Sequence, residues 1–267
     1  MGKGNPNIAS VDPVWEEIRI QAREIIENEP TMAPLVYSAI LGHSTLECAL
    51  CYRLAHKLAS GEMTESILHG AFEEAYSADC TLGAIARSDI LATYARDPAC
   101  HRYIQPLLYY KGFLALQSYR MAHWFWENGR RDLAYYIQMQ TSETFSVDIH
   151  PAARIGRGLM IDHAHGIVIG ETAVVGDNVS MLHAVTLGGT GKDDDVRHPN
   201  IGDDVLIGAG AKVLGNISVG CCSRIAAGSV VLNDVPPGKT VAGVPAKVVG
   251  EAGCDQPSAV MNQLLNI

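Results

Sequence analysis

Residues 147–187 read VDIHPAARIGRGLMIDHAHGIVIGETAVVGDNVSMLHAVTL. An aliphatic residue or alanine recurs there every six positions, at Ile149, Ile155, Ile161, Ile167, Ala173, Val179 and Val185. The phase breaks across 188–200 and resumes at Ile201, Ile207, Val213, Val219, Ile225 and Val231. A helix would single out positions at a period of 3.6 and a half-buried strand at 2, so neither accounts for a period of six. A hexapeptide repeat does: three units close one triangular coil, and each key aliphatic points inward. Residues eighteen apart should then stack one coil above the next, about 4.8 Å away. Gly156, Gly202, Gly208 and Gly220 directly follow key aliphatics, where a tight corner needs a residue without Cβ. The 188–200 interruption must leave the prism as an excursion loop, and such loops carry function more often than packing.

Upstream the pattern is helical. Val14, Ile18, Ala22 and Ile25 form one apolar stripe, and Ser44-Thr45-Leu46-Glu47 has the capping-box form ahead of Leu46, Leu50, Leu54 and Leu58. Further helices are expected at about 64–77, 81–95, 106–127 and 130–143, with Asp97-Pro98 as a break and Pro106 in a first turn. The chain therefore divides into an all-α domain (1–145), a repeat domain (146–250) and a flexible tail (251–267). Stacked coils need caps at both ends. The helical domain can supply one, and the segment from Pro236 to Val249 the other.

Composition narrows the function. With 29 acidic against 20 basic residues among 267, the formal charge is −9, which argues against nucleic acid or an anionic membrane as the main partner. No apolar run approaches the roughly 18 residues needed to span a bilayer, and MGKGNPNIAS does not read as a signal peptide. Seven cysteines without a disulfide-framework spacing fit reduced thiols in the cytoplasm. Cys48-x-x-Cys51 lies in a helical stripe without a second pair and reads as core packing.

Several stretches carry a resemblance: Val147-Asp148-Ile149-His150-Pro151-Ala152-Ala153, Ile161-Asp162-His163-Ala164, Gly170-Glu171-Thr172-Ala173, and the run from Val185 through Gly188-Gly189-Thr190-Gly191-Lys192 to Arg197-His198-Pro199. With Asp97-Pro98-Ala99 and Tyr110-Lys111-Gly112-Phe113 upstream, the chain resembles serine O-acetyltransferases from about residue 14 to 250. The resemblance implies an α + β chain, with a left-handed parallel β-helix after the helical domain, forming homotrimers paired into hexamers through the helical domains. It implies acetyl transfer from acetyl-CoA to L-serine, the first step of cysteine synthesis from serine, with feedback inhibition by L-cysteine. It also implies that the C-terminal Ile267 binds O-acetylserine sulfhydrylase, the next enzyme.

The chemistry needs a base for the serine hydroxyl, and imidazole titrates near neutrality. His163, on a turn of the repeat region beside Asp162, is the candidate, with Asp148 orienting the ring and stabilising its cation. Their separation of fifteen is three short of a full coil, so they meet only across a corner. By resemblance, Arg197 and His198 hold the serine carboxylate, while Asp97-Pro98 and Asp162 face its amino group. Read from the chain alone, Asp97-Pro98 is equally a helix stop, and Arg197 an exposed partner of Asp193-Asp194-Asp195. Asp195-Val196 stands where the family usually has Gly-Asp. Gly189, Thr190 and Gly191 would bring backbone amides to acetyl-CoA, and Ala209 and Ala227, eighteen apart, would leave a shallow strip for its pantetheine arm. Small residues at corners are also simply what a coil requires. Arg224 is the candidate for the CoA phosphate, with Lys239 a weaker one. No metal is expected. The rivals are a trimeric metal-dependent hydratase of the γ-carbonic-anhydrase type, for which His163, His165 and His183 would be the raw material, an acetyltransferase of the same superfamily with another hydroxyl acceptor, and a scaffold whose trimer is the function, which leaves the excursion loop without purpose.

Overall fold

The computed structural model describes residues 12–191 and 195–264. The N-terminal half is α1 (Pro13–Asn28), a short α2 (Ala33–Val36), α3 (Leu46–Leu58), α4 (Glu65–Ala78), α5 (Thr81–Arg96), α6 (Ile104–Tyr109), α7 (Lys111–Glu127) and α8 (Arg131–Phe145). The side chains of Asp12 and Thr45 cap α1 and α3 by accepting from Trp15 N and Cys48 N, which satisfies amides that have no carbonyl a turn earlier. The single helix expected over 106–127 is instead two. Tyr110 is extended (φ −95°, ψ 104°), and α6 begins two residues before Pro106, which stays in its first turn. The restart has a steric basis: Gly112 lies against the carbonyl of Ile161 in the repeat domain.

Residues 147–251 form a three-faced prism of parallel strands, a left-handed β-helix of about five turns. The first face orders Val147–Ile149, Ile167–Ile169, Thr186–Gly188, Lys212–Leu214 and Val230–Val231. The second holds Arg154–Ile155, Val174–Val175, Asn200–Ile201 and Ser218–Val219; the third begins with Met160–Ile161 and ends with Lys239–Gly243 and the antiparallel Ala246–Glu251. Its interior is three aliphatic columns, one of them Ile161, Met181, Ile207, Ile225 and Val241.

The repeat is not uniform. Residues 200–231 stack at the expected eighteen, but Asp148 pairs with Val168, Arg154 with Val174 and Met160 with Ser180, twenty residues on. Two extra residues enter at the corner 162–166, where His163 (φ 56°) and Ala164 (φ 60°) are consecutive left-handed residues. The stacking positions beyond it are therefore Ile169, Val175, Met181 and Leu187. Ile167, Ala173, Val179 and Val185 are buried two residues earlier. Side chains alternate across a strand, so a slip of two keeps both series facing inward and hides it from the period.

Buried ionic chemistry joins the two halves. Arg120 pairs with Asp89 at 2.9 Å and donates to the carbonyls of Ile155 and Gly156, while Asp89 accepts from Leu159 N. The described part of the tail rests on the prism. The strand Ala246–Glu251 leads to a helical turn, α9 (Pro257–Val260), held by Ser180 Oγ donating to Ser258 O at 2.9 Å. Among the described residues no helix is long and apolar enough to cross a membrane.

Candidate active site

The widened corner 162–166 opens onto a cavity of about 560 Å³ between the prism and the helical domain. Asp97, Pro98, Tyr110, Lys111, Asp162 and His163 line it. Asp97 arrives there because α5 ends one residue before it, and Arg96 fastens that end to the prism by donating to Gly158 O (2.9 Å) and Ser180 Oγ (3.1 Å). The helix break at Tyr110 brings in Tyr110 and Lys111 from the other side. The His163 ring is mostly exposed, with Nε2 3.5 Å from Asp162 Oδ2 and the ring 5.8 Å from that of His183. An imidazole beside two carboxylates in one cavity can take a hydroxyl proton from a molecule whose ammonium the carboxylates hold.

Asp148 lies on the first strand between the buried Val147 and Ile149. The His163 corner sits directly above the start of that strand, since Gly166 N donates to Ser146 O at 2.9 Å. The Asp148 carboxylate does not hydrogen-bond His163 in this structure: Oδ1 accepts from Gln138 Nε2 of α8 at 2.7 Å.

Arg197 and His198 stand at the opposite edge of the first face, where the excursion loop rejoins the prism. Thr172 organises them: its hydroxyl accepts from the backbone N–H of Arg197 (3.0 Å) and of His198 (3.1 Å) and lies 2.9 Å from His198 Nδ1. Thr172 N donates to the same Nδ1, so the imidazole proton sits on Nε2. The ring packs on Gly170, where a Cβ would stand 1.9 Å from Nε2. Burial pushes the basicity of His198 below the ordinary imidazole value, and the Arg197 guanidinium adds to that effect. Glu171 receives Arg197 Nη2 at 2.5 Å, and that bond holds its carboxyl below the usual range. No hydrogen bond joins this cluster to the His163 cavity among the described residues.

The acetyl-CoA candidates divide in the same way. Ala209 and Ala227 stack above His183 on the His163 edge, with Gly210 N donating to His183 O and Gly228 N to Ala209 O. Gly189, Thr190 and Gly191 lie on the Arg197 edge: Gly189 packs on Arg197 and Thr190 on Gly215. Arg224, the candidate for the CoA phosphate, is already engaged within the chain. It is 8% exposed, donates to Thr240 Oγ1 and to Asn262 O, and so is covered by the tail, while Lys239 pairs with Glu251. Lys192, Asp193, Asp194 and Ile267 lie outside the described residues. Among the described residues no three His, Cys, Asp or Glu side chains stand together as a metal site.

Glu171, Thr172 and Gln138 had no assigned role in the sequence reading. The first two lie 25 and 26 residues from the loop end they hold, across an excursion whose return no periodicity reports. Gln138 sits on a helix whose polar side looks like any solvated face.

A family model described as "Serine acetyltransferase, N-terminal" matches residues 14–118. The chain is 54% identical over 253 residues to a serine acetyltransferase of Salmonella typhimurium, covering 95% of this chain and 93% of that one. A serine acetyltransferase of Brucella abortus solved in complex with coenzyme A superposes with a TM-score of 0.90 at 53% identity, over 91% of this chain and 98% of that one. A serine acetyltransferase in complex with cysteine does so at 0.93 and 51%, over 94% and 98%.

Proposed function

The chain belongs to the serine acetyltransferase family, an acyltransferase, and from that premise we propose how its residues carry the reaction. The substrates are L-serine and acetyl-CoA. Asp97 and Asp162 hold the serine ammonium in the His163 cavity, beside Pro98, and Arg197 and His198 hold the carboxylate. His163 removes the hydroxyl proton, and the oxygen attacks the thioester carbonyl to give a tetrahedral adduct. The adduct collapses to O-acetyl-L-serine, and the departing CoA thiolate takes the proton from His163. Asp148 stabilises the imidazolium between these steps. One observation carries this reading: His163 shares a single cavity with Asp97 and Asp162. Thiol release from acetyl-CoA on adding L-serine, absent without serine and lost in His163→Ala, tests it.

We further infer a homotrimer, because the ammonium and carboxylate halves of the site lie at opposite edges of the first face. A threefold arrangement of prisms sets the edge of one protomer beside its neighbour's, completing the site and a groove for acetyl-CoA along Ala209, Ala227 and the 189–191 amides. Pairing of trimers through the helical domains gives a hexamer. L-cysteine has serine's ammonium and carboxylate and so competes for the same groups. All seven cysteines are free, as suits a cytoplasmic enzyme. The terminal Ile267 engages O-acetylserine sulfhydrylase: its α-carboxylate mimics a substrate carboxylate while the side chain fills apolar space. Calorimetry with a peptide of about the last ten residues, with and without Ile267, checks this, and equal heats would remove the tail from the account.

A further inference from the structure

We propose that Gln138 is a positioning residue for acyl transfer: its side-chain amide fixes one oxygen of Asp148 and leaves the other to the His163 imidazole. The proposal rests on the reading of His163 as base and Asp148 as its partner. The geometry is direct. Gln138 Nε2 lies 2.7 Å from Asp148 Oδ1, both residues are half-buried, and α8 packs along the strand that carries Asp148. An ionised carboxylate only accepts, so the amide nitrogen must face it.

The chemistry of the partner is the informative part. Three structural carboxylate clusters elsewhere each include an arginine, even where an amide also donates: Asp12 and Glu47 share Arg87, Asp89 takes both Arg120 and Gln117 Nε2, and Glu171 pairs with Arg197, whereas Gln138 is the one side-chain donor to Asp148 among the described residues. A guanidinium would fix Asp148 equally well, but it would offset the charge that an imidazolium needs beside it. A neutral amide sets the orientation and leaves that charge in place. The titratable groups around Asp148 are few: His150 two residues on, Asp162 and His163 at the corner above, and Glu171 with Arg197 beyond His150. From the helical domain come Tyr135, whose ring faces His150 at 5.7 Å, and Lys111, which donates to Phe145 O.

Three variants of the full-length enzyme test the proposal. Gln138→Met keeps the length and removes the donor. Turnover should fall about tenfold, the scale of one hydrogen bond to a charged group, with the KM for serine changed less than about twofold. Gln138→Glu adds a negative charge and should move the acid limb of kcat/KM to higher pH, while Gln138→Lys should move it to lower pH. A side chain that only supports packing would lower the thermal midpoint and leave the limb in place, and that result overturns the proposal. So does wild-type turnover in all three variants while Asp148→Asn remains impaired, in which case the base assignment survives alone. Wild-type turnover in both Asp148→Asn and His163→Ala would overturn the base assignment and this inference with it.

Discussion

Gly112, at the start of α7, faces the Ile161 carbonyl so closely that a Cβ there would stand 2.1 Å from the oxygen. The obstacle is backbone, one residue before Asp162, so it cannot rotate away. The helical domain thus meets the prism at the corner that carries His163. Gly112→Ala should destabilise the protein by about 1–3 kcal/mol, the usual cost of overpacking, and lower turnover because the 162–166 corner must shift. Denaturant unfolding and thiol release measure the two effects, and an unchanged midpoint would contradict the contact.

His163→Ala should lower turnover by about 10²–10⁴-fold, the typical contribution of general-base assistance, with the sedimentation coefficient unchanged. Asp148→Asn should cost less, since the base survives. A larger loss in Asp148→Asn than in His163→Ala would reverse the two roles.

Arg197→Ala should raise the KM for serine and the inhibition constant for cysteine together, because both ligands present the same carboxylate. Glu171→Gln should do so more mildly, since it removes the 2.5 Å ion pair that aims the guanidinium. Loss of serine binding with cysteine inhibition intact would separate the two sites.

His198 gives a pH dependence with a defined sign. Its folded pKa lies below the ordinary 6.5, so the unfolded chain binds the proton more readily. The stabilising contribution is therefore complete above 6.5 and fades as pH falls through the folded value. The protection factor at the Thr172–His198 contact, its exchange rate relative to a free amide at the same pH, should fall on acidification below that point, and less so in His198→Gln. A His198 titration midpoint above 6.5 by NMR would contradict the burial argument.

Arg120→Met should be severely destabilising, by about 3–5 kcal/mol, because it leaves the fully buried Asp89 charge without its partner. The double variant Asp89→Leu/Arg120→Met should recover part of the loss. Thermal unfolding of the two variants side by side makes the comparison.

The sequence by itself determined the two-part architecture, because a six-residue period and a helical stripe are properties of the chain's own order. It also marked Asp97, Asp148, Asp162, His163, Arg197 and His198 as candidates, through motifs of which each is a short local run. It did not show where the period slips. Ile167 and Ile169 both face inward, so two extra residues at the His163 corner leave the buried pattern intact while shifting every later stack. Nor did it show that Arg224 is covered by the tail, that Thr172 holds His198 across the excursion, or that Gln138 from α8 holds Asp148. Those relationships join segments whose distance along the chain bears no relation to their distance in space. Only the packing of helix on prism, and of tail on prism, could decide them.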